Sequence, residues 1–290
     1  MSFQQKLEIA IKKNNSLLCI GLDTDINKIP KHLLEKNDPV FEFNKTIIDK
    51  TNNLICCYKA NIAYYSALGT KGLESLIDTI KYIHEKYDIP FILDAKRADI
   101  GSTSEQYAIE VFDVLNTDSV TVNPYLGIDA IEPFLKRTDK GIIILCRTSN
   151  PGASDFQDLI TGVASQAHPR GGYRLAPQES YKPLYLKIAE KVVEWNKKYE
   201  NCLMVVGATW PGEMKKIRKI APKMFFLVPG IGVQGGDLEE TLKNGLTKEK
   251  SGLIIHSARA IIYASSNKDF AKKARVKAIE IKGEINKYRK

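Results

Sequence analysis

The chain has 290 residues, of which 43% are hydrophobic and 27% charged, with a formal net charge of +9. This composition is that of an ordinary folded protein and excludes an intrinsically disordered chain. No apolar run reaches the roughly 18 residues of a membrane span, and the N-terminus lacks the apolar core of a signal peptide. We therefore expect a cytoplasmic protein without a membrane partner, large enough for one α/β domain of about 250 residues.

The positive charge is concentrated at the C-terminus. Residues 268–290 contain nine basic and three acidic side chains, so the rest of the chain has an excess of only +3. Apolar residues recur there at three- and four-residue spacing, which predicts an amphipathic helix over 267–288 with a solvated basic face. We expect this face to be ordinary surface without a nucleic-acid partner; an RNA-binding barrel that uses the lysine-rich tail is the alternative.

The cysteines and histidines give no sign of a metal site. The five cysteines lie in apolar, strand-like runs and form no Cys-x-x-Cys pair, and the four histidines are scattered without ligand spacing. We predict free, buried thiols in a reducing compartment.

In chain order, an amphipathic helix over about 3–13 precedes eight apolar, strand-like segments that alternate with helical patterns. The segments are 17–22, 54–58, 91–96, 119–123, 141–146, 202–207, 224–230 and 252–256. The clearest helical patterns between them are 41–52, 71–87, 181–199 and 237–244. After the third segment, Ser102 with Glu105 and Thr103 with Gln106 each fit a helix capping box.

This alternation predicts parallel strands joined by helical crossovers. Eight repeats without a break in composition favour one (β/α)8 TIM barrel, with a core of about 17–264, over an open doubly wound sheet. No Gly-x-Gly-x-x-Gly follows the first strand, as a dinucleotide-binding unit requires. We predict a single α/β domain over 1–290, with an N-terminal helix and a basic C-terminal helix.

The third strand ends in charged residues. Asp94 and Lys96 lie two residues apart, so their side chains point to the same face of an extended strand, whereas Asp99 lies beyond the strand end. Burying an acid and a base is unfavourable unless they pair or take part in chemistry. Taken alone, the pair favours a chemical role, and a structural ion pair at the strand terminus is the alternative.

Polar residues also follow most of the other predicted strands. In a (β/α)8 barrel the C-terminal strand ends face one mouth, so this clustering predicts a catalytic site. The residues are Asp23, Lys59 with Asn61, Asp94 with Lys96, Asn123, Arg147 to Ser149, 230–234 and Arg259.

Two loops have the features of a phosphate site. The glycine-rich turn 230–237 offers backbone N–H groups to an anion, and Arg259 supplies a guanidinium from the neighbouring strand. Glycine in a turn is weak evidence by itself. The connection of about 30 residues after the fifth strand has the length of a functional lid, with Ser149 at its root, although Asn-Pro-Gly there also suits a plain turn.

The segment Asp94-Ala-Lys-Arg-Ala-Asp99 resembles the Asp-x-Lys-x-x-Asp signature of the orotidine 5′-phosphate decarboxylase family, in its longer bacterial/archaeal (type 2) subgroup. The resemblance extends over about 17–264. It includes Asp23, Lys59, Ser149-Asn-Pro-Gly-Ala, Pro229-Gly-Ile-Gly-Val-Gln234-Gly-Gly-Asp and Arg259. Ala258 stands where many members have glycine, but a contact through its backbone N–H is retained.

The resemblance implies decarboxylation of orotidine 5′-monophosphate to uridine 5′-monophosphate, the last step of de novo pyrimidine synthesis, with neither metal nor organic cofactor. Lys96 would stabilise the carbanion at C6 and protonate it. Asp94 would lie against the substrate carboxylate, and Lys59 would bridge Asp94 and the ribose.

The resemblance also assigns roles around this centre. Asp23 would bind the ribose, and Asn61 would lie near the ribose or the carboxylate. Ser149 would contact the pyrimidine, Gln234 would link pyrimidine and phosphate, and Arg259 would bind the phosphate beside the N–H of Ala258. Asp99 would complete the charged array from the second subunit of a homodimer, with Ile100 and Thr103 also reaching across.

One alternative lies in the same suprafamily. Metal-dependent sugar-phosphate decarboxylases and aldolases resemble this motif but act through an enediolate, and they need Mg²⁺ ligands, typically a glutamate at a strand end. Glu42 and Glu74 fall in predicted helices. No replacement ligand is therefore evident at a strand end.

Overall fold

Eight parallel strands close into a barrel in the computed structural model, which describes residues 1–161, 164–165, 174–175, 181–231 and 236–289. Each strand pairs with its neighbours in the sequence, and the eighth pairs with the first. The strands are β1 Leu18–Gly21, β2 Cys57–Asn61, β3 Phe91–Arg97, β4 Ser119–Val122, β5 Gly141–Arg147, β6 Cys202–Val206, β7 Phe226–Val228 and β8 Leu253–Ser257. The predicted (β/α)8 TIM barrel is confirmed.

The longer helices surround the barrel, so the strands are covered on both faces and are accordingly near-continuous apolar runs. α1 precedes β1, and one helix follows each strand. The helices are α1 Phe3–Asn14, α2 Pro39–Thr51, α3 Gly69–Tyr87, α4 Gly101–Ile109, α5 Ile128–Leu135, α6 Leu184–Tyr199, α7 Pro211–Ile220, α8 Leu238–Gly245 and α9 Phe270–Lys287. Single helical turns lie at Ala63–Ser66, Ser154–Gln157 and Arg259–Ile262, and two-residue strands lie at Ile160–Thr161, Ala164–Ser165, Arg174–Leu175 and Lys182–Pro183.

The terminal helices pack against the barrel through the faces that their apolar spacing predicts. In α1, Phe3 is buried and covers Gly141, where a Cβ atom would overlap the phenyl ring. In α9, Phe270 stacks on Phe43 of α2 with ring centroids 5.0 Å apart. Both helices therefore stabilise the barrel, and no helix in the described ranges is long and apolar enough to cross a bilayer.

Two smaller predictions have opposite outcomes. All five cysteines are free and buried, as predicted. The two capping boxes after β3 are wrong, because α4 begins at Gly101 with Ile100 as its N-cap and no side-chain cap. Ser102 and Thr103 therefore lie inside the first turn, where a side chain no longer caps the preceding N–H groups.

The end of β3 departs from regular pairing with β4. Leu93 pairs with Val120, but the next pair is Arg97 with Val122, so two extra residues are accommodated in β3. Lys96 adopts φ +47°, a left-handed conformation that is uncommon for a residue with a side chain. This irregularity places Asp94 and Lys96 at the mouth of the barrel.

Candidate functional site

A cavity of about 640 Å³ opens at the C-terminal mouth of the barrel. This is the end at which barrel enzymes place their chemistry. Its lining includes the charged residues of β1, β2, β3 and the turn after β8, together with apolar side chains of the barrel interior. The lining residues are Asp23, Lys59, Asn61, Tyr64, Asp94, Lys96, Thr121, Leu145, Thr148, Ser149, Asn150, Gln157, Val205, Leu227, Pro229, Gly230, Ile231, His256, Ser257, Ala258, Arg259 and Ala260.

Four charged side chains form an array of alternating sign across one side of this cavity. The Nζ atom of Lys59 lies 3.0 Å from Oδ1 of Asp23 and 3.5 Å from Oδ2 of Asp94. The Nζ atom of Lys96 lies 2.6 Å from Oδ1 of Asp94. The Lys59 side chain is 4% exposed and that of Lys96 is 48% exposed, so Lys96 is the lysine that faces the open cavity.

Mutual contacts hold Asp23, Lys59 and Asp94 in their charged forms. Burial opposes ionisation of Asp23 and Asp94, yet the adjacent Lys59 ammonium lowers the pKa of both carboxyls. Burial alone would lower the pKa of Lys59, but the two carboxylates raise it. The site is therefore a fixed electrostatic environment at neutral pH.

Asn61, at the end of β2, connects the two carboxylates of the array. Its backbone N–H donates to Oδ1 of Asp23 at 2.8 Å, and its side-chain Nδ2 donates to Oδ2 of Asp94 at 3.2 Å. In this structure the residue orients Asp23 and Asp94 while also lining the cavity.

Sequence reasoning missed several polar residues of the site, among them Thr121 and His256. The Thr121 hydroxyl donates to Oδ1 of Asp94 at 2.9 Å and accepts from the backbone N–H of Lys96 at 3.0 Å. Both residues lie within apolar strand runs that we interpreted as core. A polar side chain at an inward-facing strand position was the feature of the sequence that could have indicated a site residue.

His256 lies deep in the cavity beside β1. Burial, reinforced by the Lys59 ammonium, lowers the pKa of His256 to about 4, so the imidazole is neutral at pH 7. Among the described residues its Nε2 atom has no hydrogen-bond partner, and it is buried in the space that a Cβ atom of Gly21 would occupy. Glycine at position 21 therefore makes room for the imidazole ring.

The described residues of the two predicted phosphate loops lie on the side of the cavity next to β7 and β8. Gly230 adopts φ +98°, which favours glycine, and its carbonyl accepts from the N–H of Gly236 at 3.1 Å. Ala258 is the N-cap of the turn that begins at Arg259, and both residues line the cavity. Gln234 lies outside the described residues, as do residues 162–163, 166–173 and 176–180 of the long loop after β5.

Ser149 is held at the cavity by the segment that follows β6. A Cβ atom on Gly207 would lie 2.8 Å from the backbone of Ser149, so the two segments touch. The indole N–H of Trp210 donates to the carbonyl of Thr148 at 3.1 Å, and the Thr209 hydroxyl donates to that of Ser149 at 3.3 Å. These contacts fix the start of the loop after β5.

Two residues that were expected at the mouth do not line the cavity. The buried guanidinium of Arg147 lies over the Trp210 ring at 4.5 Å and pairs with Asp158 at 3.0 Å, which anchors the loop after β5. The Asn123 side chain accepts from the N–H of Tyr125 and caps the turn after β4. Both predictions were wrong, because a strand-end residue does not always point inward.

The profile of the family described as "Orotidine 5'-phosphate decarboxylase / HUMPS family" matches residues 16–274. The chain belongs to this family.

Relatives within the decarboxylase family match nearly the whole chain. Orotidine 5′-phosphate decarboxylase of Cellvibrio japonicus is 49% identical over 291 residues, covering 99% of this chain and 98% of the relative. The enzyme of the same name from Flavobacterium johnsoniae is 49% identical over 282 residues, covering 97% of this chain and 96% of the relative.

Solved structures of the decarboxylase family have the same fold. The Leishmania donovani OMP decarboxylase superposes with a TM-score of 0.81 at 33% identity, over 100% of this chain and 99% of that one. A putative Toxoplasma gondii decarboxylase superposes with a TM-score of 0.84 at 32% identity, over 99% of this chain and 96% of that one. The chain also matches Leishmania donovani UMP synthase (TM-score 0.83, 34% identity, 100% of this chain), of which it spans 57%.

The predicted membership of the decarboxylase family is thereby confirmed. The structure brings most of the predicted site residues to one cavity: Asp23, Lys59, Asn61, Asp94, Lys96, Ser149, Ala258 and Arg259. Asp99, Ile100 and Thr103 do not line it. Within the described ranges, no three His, Cys, Asp or Glu side chains are arranged to hold a metal ion.

Proposed function

We propose that this chain converts orotidine 5′-monophosphate to uridine 5′-monophosphate and carbon dioxide, the last step of de novo pyrimidine synthesis. The observation that supports this most strongly is the alternating array in which Lys96 faces the cavity and Asp94 lies 2.6 Å from its Nζ atom. Relatives up to 49% identical are named for this decarboxylation. They favour it over the magnesium-dependent sugar-phosphate chemistry of the alternative.

In the proposed mechanism, the bond between C6 and the carboxylate breaks and its electron pair remains on C6. Lys96 places a positive charge beside the developing carbanion and then gives C6 a proton, which it recovers from solvent. Asp94 fixes the ammonium of Lys96, and Lys59 keeps Asp94 ionised. This chemistry uses no metal and no organic cofactor.

The rest of the cavity binds the remote parts of the substrate. We assign the phosphate to Arg259 and the N–H of Ala258, the pyrimidine to Ser149, and the ribose to Asp23 and Asn61. Gln234 would join the pyrimidine and phosphate contacts. Binding energy gained at the phosphate, far from C6, then appears in the rate of the chemical step.

Turnover of orotidine 5′-monophosphate in EDTA tests the proposed function. We expect the purified chain to consume the substrate, as measured by the loss of its ultraviolet absorbance. The rate is expected to be the same with and without the chelator. Absence of turnover, together with Mg²⁺-dependent conversion of a sugar phosphate, would assign the chain to the enediolate alternative.

We also propose that the enzyme is a homodimer whose active sites include Asp99, Ile100 and Thr103 of the neighbouring subunit. In support, these residues follow β3 close to the mouth but do not line the cavity of their own chain. Ile100 is 56% exposed, and Tyr125 in the turn after β4 is 78% exposed. Large exposed apolar side chains of this kind are what a protein interface would cover.

Mixing two inactive variants tests the shared site. Asp99→Asn and Lys96→Ala dimers are each expected to be inactive, but a mixed dimer has one intact site, made from Lys96 of one subunit and Asp99 of the other. Because half of randomly mixed dimers are hybrids with one intact site of two, co-expression is expected to restore about a quarter of the native activity. No recovery in isolated hybrids would contradict a shared site.

We place this single-domain enzyme, residues 1–290, in the cytoplasm. The five free and buried thiols support a reducing compartment, since disulfides are rare there.

A further inference from the structure

One buried hydroxyl contacts both Asp94 and Lys96. Thr121 is 1% exposed, and its Oγ1 atom donates to Oδ1 of Asp94 at 2.9 Å while it accepts from the backbone N–H of Lys96 at 3.0 Å. A hydroxyl has one proton to donate and two lone pairs, so both hydrogen bonds can exist together.

The irregular end of β3 explains why the N–H of Lys96 needs a side-chain partner. Because β3 contains two extra residues between Leu93 and Arg97, regular pairing with β4 is interrupted at Lys96. Lys96 is also held at φ +47°, which is unfavourable for a residue with a Cβ atom. The Thr121 hydroxyl takes the place of the missing backbone acceptor and supports this conformation.

The same hydroxyl completes the hydrogen bonds of the Asp94 carboxylate. Oδ1 accepts from Lys96 Nζ at 2.6 Å and from Thr121, and Oδ2 accepts from Asn61 at 3.2 Å and Lys59 at 3.5 Å. Each oxygen has two donors, so rotation of the carboxylate would break several contacts. Thr121 is the one hydroxyl among these four donors. Its oxygen also accepts a hydrogen bond from the backbone N–H of Lys96.

We propose that Thr121 is a positioning residue, which fixes Asp94 and the backbone of Lys96 relative to each other so that the lysine ammonium is aimed at the reacting carbon. The proposal rests on the proposed function for the identity of the reaction. A displacement of about 1 Å at such a centre lowers a rate by about 10²-fold, which sets the size of the expected effect.

Ser119 provides a matched control on the same strand. It lies two residues before Thr121, so its side chain points to the same face of β4, and it is also buried. Its hydroxyl has no hydrogen-bond partner within the described structure. Ser119→Ala therefore removes a buried hydroxyl from β4 without removing a contact to Asp94 or Lys96.

The kinetic experiment compares Thr121→Val, Thr121→Ser and Ser119→Ala with the native enzyme. We expect Thr121→Val, which keeps the shape but not the hydroxyl, to lower kcat about 10²-fold with KM changed less than about threefold. Thr121→Ser, which keeps the hydroxyl, and Ser119→Ala are expected to stay within about fivefold of native kcat. Native kcat in Thr121→Val, or an equal loss in Thr121→Ser, would overturn the proposal.

Crystal structures of the Thr121 variants give a readout that does not depend on the substrate. In Thr121→Val we expect Lys96 to leave its φ of +47° and its Nζ atom to move from its position 2.6 Å from Asp94, and in Thr121→Ser both to be retained. An unchanged Asp94–Lys96 geometry in Thr121→Val would refute the positioning role, whether or not the native chain decarboxylates orotidine 5′-monophosphate. Failure of the native chain alone would instead refute the proposed function.

Discussion

Lys96→Ala is expected to lower kcat for orotidine 5′-monophosphate by about 10⁴-fold or more, because in the proposed mechanism it removes both the proton donor and the cation beside C6. Loss of either role alone would lower the rate of decarboxylation strongly. The other lysine of the array cannot replace Lys96, since Lys59 is buried and already lies between Asp23 and Asp94. The loss is expected mainly in kcat, measured by the ultraviolet assay in EDTA, with binding of the product retained in calorimetry.

Lys81→Ala is the matched control for this substitution. Lys81 is an exposed lysine of α3, whose Nζ atom lies 3.9 Å from Glu85, away from the cavity. It is expected to keep native kcat and native thermal unfolding. If Lys96→Ala kept more than about a tenth of native kcat, Lys96 would not be the acid that protonates C6.

Lys59→Met is expected to abolish turnover and to lower the free energy of unfolding by about 3–5 kcal/mol at pH 7, because it leaves two buried carboxylates without their shared cation. The Lys59 side chain is nearly completely buried between Asp23 and Asp94. Urea unfolding, followed by circular dichroism, measures the loss.

The dependence of this loss on pH follows from the pKa shifts. Asp23 and Asp94 have lowered pKa values when folded, so their stabilisation exists above the unfolded pKa near 4 and disappears as pH falls through the folded values. Lys59 has a raised pKa, so its stabilisation persists up to the unfolded pKa near 10 and disappears above it. The difference in the free energy of unfolding between native and Lys59→Met is therefore expected to be full from about pH 5 to 9 and to shrink as pH falls below about 4 or rises above about 10.

Lys243→Met separates burial from ion pairing in this experiment. Lys243 also lies between two carboxylates, 2.7 Å from Glu239 and 3.4 Å from Glu240, but all three side chains are exposed on α8. Solvent screens such a pair, so no comparable loss of stability is expected. A similar loss in both variants would show that burial of the array is not what makes Lys59 important.

The barrel and the charged centre were predictable from the sequence because both follow from simple periodicities. The apolar runs alternate with helical patterns, and Asp94 and Lys96 share a face since they lie two residues apart on a strand. The two extra residues in β3 were not predictable, because strand register depends on the partner strand. The role of Thr121 depends on that register and was therefore also hidden.

Other features needed three-dimensional information for different reasons. Arg147 follows an apolar strand just as Lys96 does, yet it points to Trp210 rather than into the cavity. The start of α4 at Gly101 was missed because Ser and Thr suit both a cap and a first turn. Asp99 was assigned through the family resemblance, since no periodicity within one chain indicates which residues a second subunit would contribute.

The burial of Lys59 links the folding of the barrel to the speed of its reaction. In water, solvent dipoles would have to reorganise as charge moves on to C6, whereas here the dipoles and charges are set when the chain folds. Well-packed apolar residues in place of a buried ion pair are often neutral or stabilising, so selection for stability alone would remove this array. We therefore expect the most thermostable sequence for this barrel to be a catalytically inactive one.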